Sequence, residues 1–344
     1  MIFKQWSPLT LRRWRNFKSN RLGFFSLWII AGLTLLSVFA EIIANDVPLV
    51  LSYNDELYFP VLVTYPETTF GGEFQTETEY DGQIQGLIEQ SGGWMVWPLI
   101  PYRYDTIDLH TVGTVPEAPS SRHLLGTDDL GRDVAARLIY GFRLSIAFGF
   151  ALTLLSSLVG VAVGAIQGYF GGLVDLIGQR LVEVWTGLPV LFLLIIVSSL
   201  VQPSPLVLLL LLFAVSWTAL VPVVRAEFLR TRNFDHVRAA RALGLGDRTI
   251  IVKHVLPNAM VATLTYLPFI LNGSIILLTT LDFLGFGLPL GTPSLGELLA
   301  QGKANIDSPW LGLSAFVTLA IMLTLLIFIG EAVRDAFDAR RAVN

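Results

Sequence analysis

The chain has 344 residues, of which 53% are hydrophobic and 15% are charged, whereas soluble domains carry about 25% charged residues; this excludes an ordinary soluble protein and indicates an integral membrane protein. The formal net charge of −4 excludes little by itself, because basic and acidic residues are segregated into different stretches. The lack of cysteine excludes disulfides and thiolate chemistry, and the lack of a G-x-x-x-x-G-K-[ST] loop leaves no phosphate loop with which to bind ATP.

The N-terminal stretch, residues 1–21, contains six Arg or Lys and no acidic residue. An apolar run follows at 22–44, and about 20 residues are enough to cross the hydrocarbon core of a bilayer. A signal peptide is the competing interpretation, but the run is too long and no small-x-small cleavage site follows it. Because basic residues stay on the cytoplasmic side, we predict a cytoplasmic tail at 1–21 and a first transmembrane helix at 22–44.

Residues 45–142 have a different composition, with fifteen Asp or Glu against four Arg and no apolar run long enough to span. We therefore predict an insert on the non-cytoplasmic side, long enough to have some fold of its own, with short strands around Leu57–Thr64. Two interpretations stay open: a platform that meets a partner protein or guards an entrance on that side of the membrane, and a passive insertion.

The insert ends in a glycine-bracketed acidic turn, which we expect to be followed by an amphipathic segment along the membrane surface. Three carboxylates within six residues suggest a cation site. Arg132 lies among them, however, and favours helix caps and local ion pairs instead. The turn comprises Gly126, Asp128, Asp129, Gly131, Arg132 and Asp133.

Five further spans are predicted within a core at 143–333. Gly160 and Gly164 form a small-residue ridge that permits close helix packing, and Pro189 is expected to kink the third span. Asp282 is interpreted as an interfacial residue rather than a buried functional carboxylate, and Trp310 as an interfacial anchor. The predicted spans are Ser145–Gln167, Val184–Val201, Leu206–Val224, Ala259–Leu284 and Trp310–Ile329, with a cytoplasmic turn at 168–180, an external turn at Gln202–Pro205 and a cytoplasmic tail at 334–344.

Between the fourth and fifth spans lies a polar, basic stretch, Asn233–Asn258, which we call the basic segment. We predict two short helices here. Asp235 and Asp247 would be their N-caps, Gly244 and Gly246 would supply left-handed residues between them, and Pro257 would mark the next break.

The spacing of two alanines, a glycine and Leu-Pro in this segment resembles the EAA loop of ABC-importer permeases. In that family the loop forms a coupling helix that docks into a groove on the ATP-binding subunit. Arg238 stands where the family usually has Glu, and His254 where it usually has Ile. The resemblance implies a coupling loop at 225–257, with Asp235, Arg238, Ala239, Ala240, Gly244, Leu256 and Pro257 as its coupling residues.

Three other stretches resemble the dipeptide/oligopeptide/nickel class of these permeases: Leu125–Asp133, the short loop with Gly172, Asp175 and Arg180, and the outer loop with Gly285, Gly287, Pro293, Ser294 and Gly296. The resemblance implies an all-α type I permease with six transmembrane helices and a periplasmic insert between the first two. The acidic insert is most similar to the Yej-type permeases, which are linked to oligopeptides and to peptide-nucleotide antibiotics such as microcin C.

This resemblance implies a non-catalytic subunit of the bacterial inner membrane, with both termini cytoplasmic and no cofactor, metal or nucleic acid of its own. It would pair with a second, related permease. Two ATP-binding domains, in one fused chain or two, would supply hydrolysis, and a periplasmic binding protein would deliver a peptide. The same architecture importing nickel or another small solute is the alternative; a stand-alone channel or a membrane enzyme fits less well. The sequence identifies no residue that contacts substrate.

Overall fold

The computed structural model of the chain describes residues 8–80, 82–108, 114–201, 204–289 and 291–337. Six parts of the predicted segments lie outside these residues: the start of the basic tail (1–7), residues 81 and 109–113 of the insert, two residues of the external turn (202–203), residue 290 of the core and the end of the C-terminal tail (338–344).

The described chain is mostly helical. Its helices are α1 Pro8–Ser19, α2 Arg21–Val38, α3 Ala40–Ile43, α4 Gly82–Gln90, α5 Val134–Phe170, α6 Gly172–Thr186, α7 Val190–Leu200, α8 Pro205–Ser216, α9 Val221–Thr231, α10 Asp235–Ala242, α11 Asp247–Ile250, α12 Leu256–Phe283, α13 Leu295–Ala304 and α14 Pro309–Phe337. A 3₁₀ turn, Trp217–Leu220, joins α8 to α9, and a π turn, Ile251–Val255, joins α11 to α12.

Among the residues that the structure describes, five helical stretches are long and apolar enough to cross a membrane: Arg21–Val38, Val134–Phe170, Pro205–Thr231, Asp247–Phe283 and Pro309–Phe337. The count becomes six if the bent pair Gly172–Thr186 and Val190–Val197 crosses as one span. The prediction of a helical membrane protein is therefore confirmed, with five or six candidate spans.

The predicted third span needs correction, because a bend of 67° separates its two helices. Pro189 does more than kink a continuous helix: it is the N-cap residue of α7, and Gly187 is the C-cap residue of α6. Proline lacks an amide hydrogen and disfavours helix in the residue before it, so a Gly-Leu-Pro sequence ends one helix and begins another.

Two other predicted boundaries are also wrong. The segment before the second span does not form a separate surface helix, since α5 runs without a break from Val134 to Phe170. The predicted turn at 168–180 is much shorter: Gly171 and Gly172, both with positive φ, reverse the chain and α6 begins at once. Glycine adopts that backbone region without steric cost, so two residues are sufficient.

The small-residue ridge on α5 is confirmed. A Cβ atom added at Gly160 would lie 2.6 Å from the carbonyl oxygen of Trp217, and one at Gly164 would lie 2.8 Å from that of Val221. Gly168 continues the ridge one turn further along, where an added Cβ would meet Phe228 at 2.5 Å. These glycines let the backbones of α5 and α9 approach closely, as small residues do between membrane helices.

The chain divides into two compact units: residues 1–31, 146–289 and 320–344 form one, and residues 32–145 and 290–319 form the other. In the second unit the described insert folds around an antiparallel sheet with the strand order β2–β1–β3, from β1 Val50–Tyr53, β2 Glu56–Tyr58 and β3 Trp94–Val96. Asn54 and Asp55, both with positive φ, form the tight turn between β1 and β2.

The prediction that the insert has a fold of its own is confirmed by a buried cluster that contains Leu51, Phe70, Tyr80, Ile84 and Ile88. The strands predicted at Leu57–Thr64 are wrong beyond Tyr58. Pro60 cannot donate to a sheet ladder, and the chain leaves the sheet before reaching it.

Candidate functional site

The basic segment begins where α9 ends and contains α10, α11 and the start of α12. In α10, Val237 and Ala240 are buried, three residues apart on one face of the helix. The surrounding residues are exposed, including Ala239, Ala242 and Leu243, whose exposed fraction reaches 82%. The outer surface of the helix therefore combines the small Ala239 and Ala242 with exposed charged side chains, while two apolar side chains hold the helix to the rest of the unit.

The inner face of α10 is packed into a cluster formed by three long helices. Val237 and Ala240 share this cluster with Ala165 and Tyr169 of α5, Val224 and Phe228 of α9, and Ala259 of α12. The buried set is completed by Leu220, in the 3₁₀ turn before α9, and by Ile250 and Val255, which lie between α10 and α12. A displacement of α10 would therefore press directly on the ends of these three helices.

The C-terminus of α10 is closed by a Schellman motif. The amide of Leu245 donates to the carbonyl of Ala240 at 3.2 Å, and the amide of Gly244 donates to that of Arg241 at 3.0 Å. Gly244 has a φ of +78°, as predicted, but Gly246 does not adopt the left-handed conformation, with a φ of −66°. One left-handed glycine is enough to turn the chain.

The predicted N-caps are both wrong by one residue. Phe234 and Gly246 occupy the N-cap positions, and Asp235 and Asp247 are the first helical residues. Carboxylates in the first turn still interact favourably with the helix dipole. The Asp247 carboxylate has a further role, because its Oδ1 atom accepts a hydrogen bond from the Tyr169 hydroxyl at 2.6 Å.

Two arginines attach the segment to the end of α5. Arg232 Nη1 donates to the carbonyl oxygens of Gly168 and Tyr169, at 3.2 and 3.1 Å. Arg241 lies over the Tyr169 ring, with its Cζ atom 5.6 Å from the ring centroid, and its hydrogen bond with Tyr169 raises the pKa of the guanidinium. Tyr169 thus contacts both sides of the turn at Gly244.

The predicted break at Pro257 is also wrong, because the helix continues through it. Asp247–Phe283 is one helical stretch, and Pro257 lies in the first turn of α12 directly after the π turn. In that turn the amide of Leu256 donates to the carbonyl of Ile251, five residues earlier. The shift in hydrogen-bond register accommodates a residue without an amide hydrogen.

The other unit contains the glycine-bracketed turn. Asp128 Oδ1 accepts from the amides of Leu130 and Arg132, both at 2.9 Å, which closes the loop on itself. Gly126 and Gly131 have positive φ. A Cβ atom at Gly126 would also lie 2.7 Å from Trp310 Nε1, whose hydrogen the Thr127 carbonyl accepts at 3.3 Å. The turn therefore requires glycine for both backbone conformation and space.

Four side chains next to this turn form what we call the four-charge cluster: Asp128, Arg132, Arg137 and Glu297. Arg132 contacts Asp128 at 2.7 Å and Glu297 at 3.1 Å. Arg137, whose side chain is fully buried, contacts Glu297 at 2.8 Å and Asp128 at 3.4 Å. Two guanidiniums and two carboxylates neutralise one another within the cluster, which is the arrangement that buried charges require.

Asp133 has a different set of partners. Its Oδ1 atom accepts from the amide of Ala136 at 2.8 Å and thereby caps α5, and its Oδ2 atom contacts His123 Nδ1 at 2.9 Å. The other ring nitrogen of this buried histidine lies 3.2 Å from Asp108 Oδ2. Asp128 and Asp133 are therefore engaged in the caps and ion pairs that the sequence favoured over a cation site.

Sequence reasoning missed several residues of both sites. Arg137 and Glu297 meet across 160 positions of sequence, and Tyr169 meets Asp247 across 78. One signal was available: Ser294 accepts hydrogen bonds from the amides of Gly296 and Glu297 and caps α13, so the outer-loop motif contains a helix start that carries Glu297 in its first turn.

Comparisons with known proteins give consistent results. Residues 160–343 match the family described as "Binding-protein-dependent transport system inner membrane component", and residues 9–60 match "N-terminal TM domain of oligopeptide transport permease C". The "Inner membrane ABC transporter permease protein YejE" of Escherichia coli (strain K12) is 55% identical, covering 98% of this chain and 99% of that protein.

Two further relatives and one solved structure are also similar. The "Peptidoglycan transport system permease protein YejE" of Agrobacterium fabrum is 53% identical, covering 97% of this chain and 94% of that protein. The "Dipeptide transport system permease protein DppC" of Haemophilus influenzae is 34% identical over 65% of this chain and 76% of that protein. An inward-facing structure of the MetNI methionine ABC transporter has a TM-score of 0.47 and 18% identity, covering 58% of this chain and 96% of that one.

Proposed function

Because the chain belongs to the family of binding-protein-dependent transport system inner membrane components, we propose that its basic segment is the surface through which ATP-binding subunits move it. The protein is an inner-membrane permease subunit of an ABC importer, a transport component rather than a catalyst. ATP hydrolysis belongs to the partner subunits in this proposal, and the permease converts their motion into a change of the transport path.

The observation that carries the proposal is the two-sided burial of α10. Its outer surface, with the small Ala239 and Ala242 among charged side chains and Leu243 just after the helix, is exposed and available to a groove on a partner. Its inner residues, Val237 and Ala240, are packed among α5, α9 and α12. A subunit that grips the outer surface would therefore displace the ends of these helices as a rigid group, because packed cores transmit displacement rather than absorb it.

In this proposal the coupling residues named from the sequence have different roles, depending on whether they are exposed or buried. Ala239, exposed, would contact the ATP-binding subunit, with Asp235 and Arg238 beside it. Ala240 would instead anchor the helix from within. Gly244 would shape the turn, and Leu256 and Pro257 would connect the segment to α12 through the π turn.

The proposed topology puts the basic segment, the tail 1–21 and the tail 334–344 in the cytoplasm, and the insert 45–142 in the periplasm. It is supported by the enrichment of Lys and Arg in the segments assigned to the cytoplasm and of Asp and Glu in the insert. The transporter would contain this chain, a second related permease, two ATP-binding domains and a periplasmic binding protein.

For the cargo we propose peptides or peptide-containing compounds, including peptide-nucleotide compounds such as microcin C. This proposal is supported by the names of similar permeases, which are described as peptidoglycan, dipeptide and oligopeptide transport system permease proteins. Uptake of a labelled tripeptide into vesicles that contain the complete transporter, measured beside uptake of nickel ions, distinguishes this cargo from the alternative of a metal importer.

Coupling is tested with Ala239→Arg and Leu243→Asp in the complete transporter. Both side chains are exposed, so we expect unchanged thermal stability but loss of the co-purifying ATPase and of ATP-driven uptake. Ala304→Arg, at an exposed alanine in the last turn of α13, is the matched control and should retain both. Normal uptake and a stoichiometric ATPase in the Ala239→Arg transporter would refute the coupling role.

The topology is tested with single cysteines, since the natural chain has none. A cysteine at Ala242 should react with a membrane-impermeant maleimide only from the cytoplasmic side, and a cysteine at Gln83 only from the periplasmic side. Labelling of both positions from one side would refute the proposed arrangement.

A further inference from the structure

The helix before the first candidate span has two different long faces. On one face of α1, Phe17 is buried against Ala332 and Ala336 of α14, and the Arg13 guanidinium lies 4.4 Å from the Phe337 ring centroid. Asn20, just after the helix, donates to Asp335 at 3.1 Å. This face attaches α1 to the C-terminal part of α14.

The exposed face of α1 combines apolar and basic side chains. Leu11 and Trp14 have exposed fractions of 50% and 36%, large values for apolar residues of this size. Arg12, Arg15 and Lys18 are exposed around them, and the Lys18 ammonium lies 5.2 Å from the Trp14 ring centroid. Helical spacing of 100° per residue groups Leu11, Arg15 and Lys18 away from Arg13 and Phe17. Trp14 lies at the boundary of the two faces, where its ring stacks on that of Phe17 with the ring centroids 5.7 Å apart.

Chain connectivity places the C-terminal end of α1 next to the first candidate span. A single residue separates α1 from Arg21, the first residue of an 18-residue candidate span. Eighteen helical residues extend about 27 Å, close to the thickness of the hydrocarbon core, so Arg21 belongs at the interface. The 12 residues of α1 extend about 18 Å from that point, which keeps the helix near the membrane surface if it lies along it.

We propose that α1 lies in the membrane interface and binds the headgroups of anionic phospholipids. Leu11 and Trp14 enter the boundary between headgroups and acyl chains, where tryptophan is favoured. Arg12, Arg15 and Lys18 contact lipid phosphates, and no acidic residue in α1 opposes them. The inference goes beyond the coupling proposal and stands without it, since it requires only that α2 crosses the membrane.

Lipid binding to α1 would also stabilise the position of α14, because α1 contacts both the lipid and α14. Phe17 of α1 is buried in a cluster with Ala332 and Ala336. The start of α2 is also close to α14, since an added Cβ at Gly23 would lie 2.8 Å from the carbonyl oxygen of Phe328. Lipid bound to α1 would therefore be connected to the C-terminal end of α14 through residues that are already in contact.

The test uses the complete transporter in a neutral detergent, titrated with phosphatidylglycerol or phosphatidylcholine and observed by native mass spectrometry. We expect tighter binding of phosphatidylglycerol, with about a fivefold loss for each cation removed from the exposed face. Arg12→Gln/Arg15→Gln/Lys18→Gln should therefore abolish the preference, and 0.5 M KCl should weaken it in the natural protein. An unchanged preference in this triple variant would overturn the proposal.

Two variants control for fold and position. Arg13→Gln removes the same charge as Arg15→Gln from the protein-facing side, so it should cost clearly less lipid affinity; equal losses would overturn the assignment of the face. Arg12→Lys/Arg15→Lys/Lys18→Arg keeps all three charges and should retain the preference if assembly is intact by gel filtration. Its loss in an assembled transporter would refute an electrostatic headgroup site.

A second measurement reports depth in a bilayer. A spin label attached at Leu11→Cys, in a chain that has no other cysteine, should be more accessible to oxygen than to a water-soluble nickel chelate in bilayers with phosphatidylglycerol. The reverse order of accessibility would put the face in water and overturn the proposal.

Discussion

The basic segment and the four-charge cluster are both rich in charged side chains, and the structure uses those charges in opposite ways. In the basic segment Arg238 and Arg248 are exposed, and the residues that hold α10 in place are the apolar Val237 and Ala240. In the four-charge cluster the charges are themselves the contacts, and Arg137 is fully buried. The difference indicates that the basic segment presents an exposed surface to a partner, whereas the charges of the four-charge cluster stabilise a fixed interior.

The cluster should be the more sensitive of the two regions to a single change. Arg137→Ala leaves Glu297 and Asp128 with one guanidinium between them, in an environment with little water. Removing one partner of a buried ion pair costs about 3–5 kcal/mol of unfolding free energy. We expect a large drop in the thermal stability of the detergent-solubilised protein, measured by intrinsic fluorescence.

Arg143→Ala provides the matched control, since Arg143 pairs with Glu41 at 2.8 Å but both side chains are well exposed, at 34% and 45%. Solvated pairs contribute about 0.2–1 kcal/mol. Similar losses of stability in the two variants would contradict the view that burial gives the cluster its importance.

The two alanines of the coupling motif also differ in burial, since Ala240 is buried and Ala239 is exposed. Ala240 is 5% exposed, so Ala240→Arg forces a long charged side chain into the cluster of α5, α9 and α12, and overpacking alone costs about 1–3 kcal/mol. Ala239→Arg, one position along, is a surface change expected to alter stability by less than about 0.5 kcal/mol. The melting temperature of the Ala240→Arg protein should be clearly lower than that of the Ala239→Arg protein, whereas ATP-driven uptake should fail in both.

This pair of variants also separates two alanines that the motif alone does not distinguish. From the sequence, Ala239 and Ala240 look equivalent, and either one could probe docking. Because Ala240 faces inward, a defect in its variant mixes lost stability with lost coupling, and only Ala239 reports on the outer surface. A stable, transport-deficient Ala240→Arg protein would show that the inner face tolerates more than its packing indicates.

Local features of the fold were predictable from the sequence, and distant contacts were not. The glycine ridge on α5 and the helix at Asp235–Ala242 follow from residue types within one or two turns. The pairing of Arg137 with Glu297 depends on how loops far apart in sequence come together, and no periodicity encodes it. Pro189 and Pro257 show the limit most clearly, since the same residue type ends a helix in one place and is absorbed by a π turn in the other.

Tyr169→Phe tests whether the basic segment is held to α5 by polar contacts as well as by packing. The change removes the hydroxyl that donates to Asp247 and interacts with Arg241, but it keeps the ring under Arg241. A hydrogen bond of this kind contributes about 1 kcal/mol. We expect a modest loss of stability and faster amide exchange at residues 244–250, measured by hydrogen exchange with mass spectrometry.

The control for that experiment is Tyr140→Phe, which removes a buried hydroxyl hydrogen bond to the Ala44 carbonyl in the other unit. It should lower stability without altering exchange at 244–250. If Tyr169→Phe also left exchange there unchanged, packing alone would account for the attachment.

The smallest effects come from two glycines that share the same turn. In the part of the chain that the structure describes, a Cβ added at Gly244 or Gly246 has no heavy atom within 4 Å apart from those of the glycine and its chain neighbours. Space therefore does not distinguish the two glycines, and backbone conformation does. Gly244→Ala forces alanine to a φ of +78° and should cost about 1 kcal/mol. Gly246→Ala at −66° avoids that strain and should change stability by less than about 0.5 kcal/mol, because restricting the unfolded chain offsets the poorer N-cap that alanine provides. A clearly larger drop in melting temperature for Gly244→Ala would show that the left-handed residue of the Schellman motif stabilises this turn, and equal drops would mean that the turn rearranges once Gly244 is replaced.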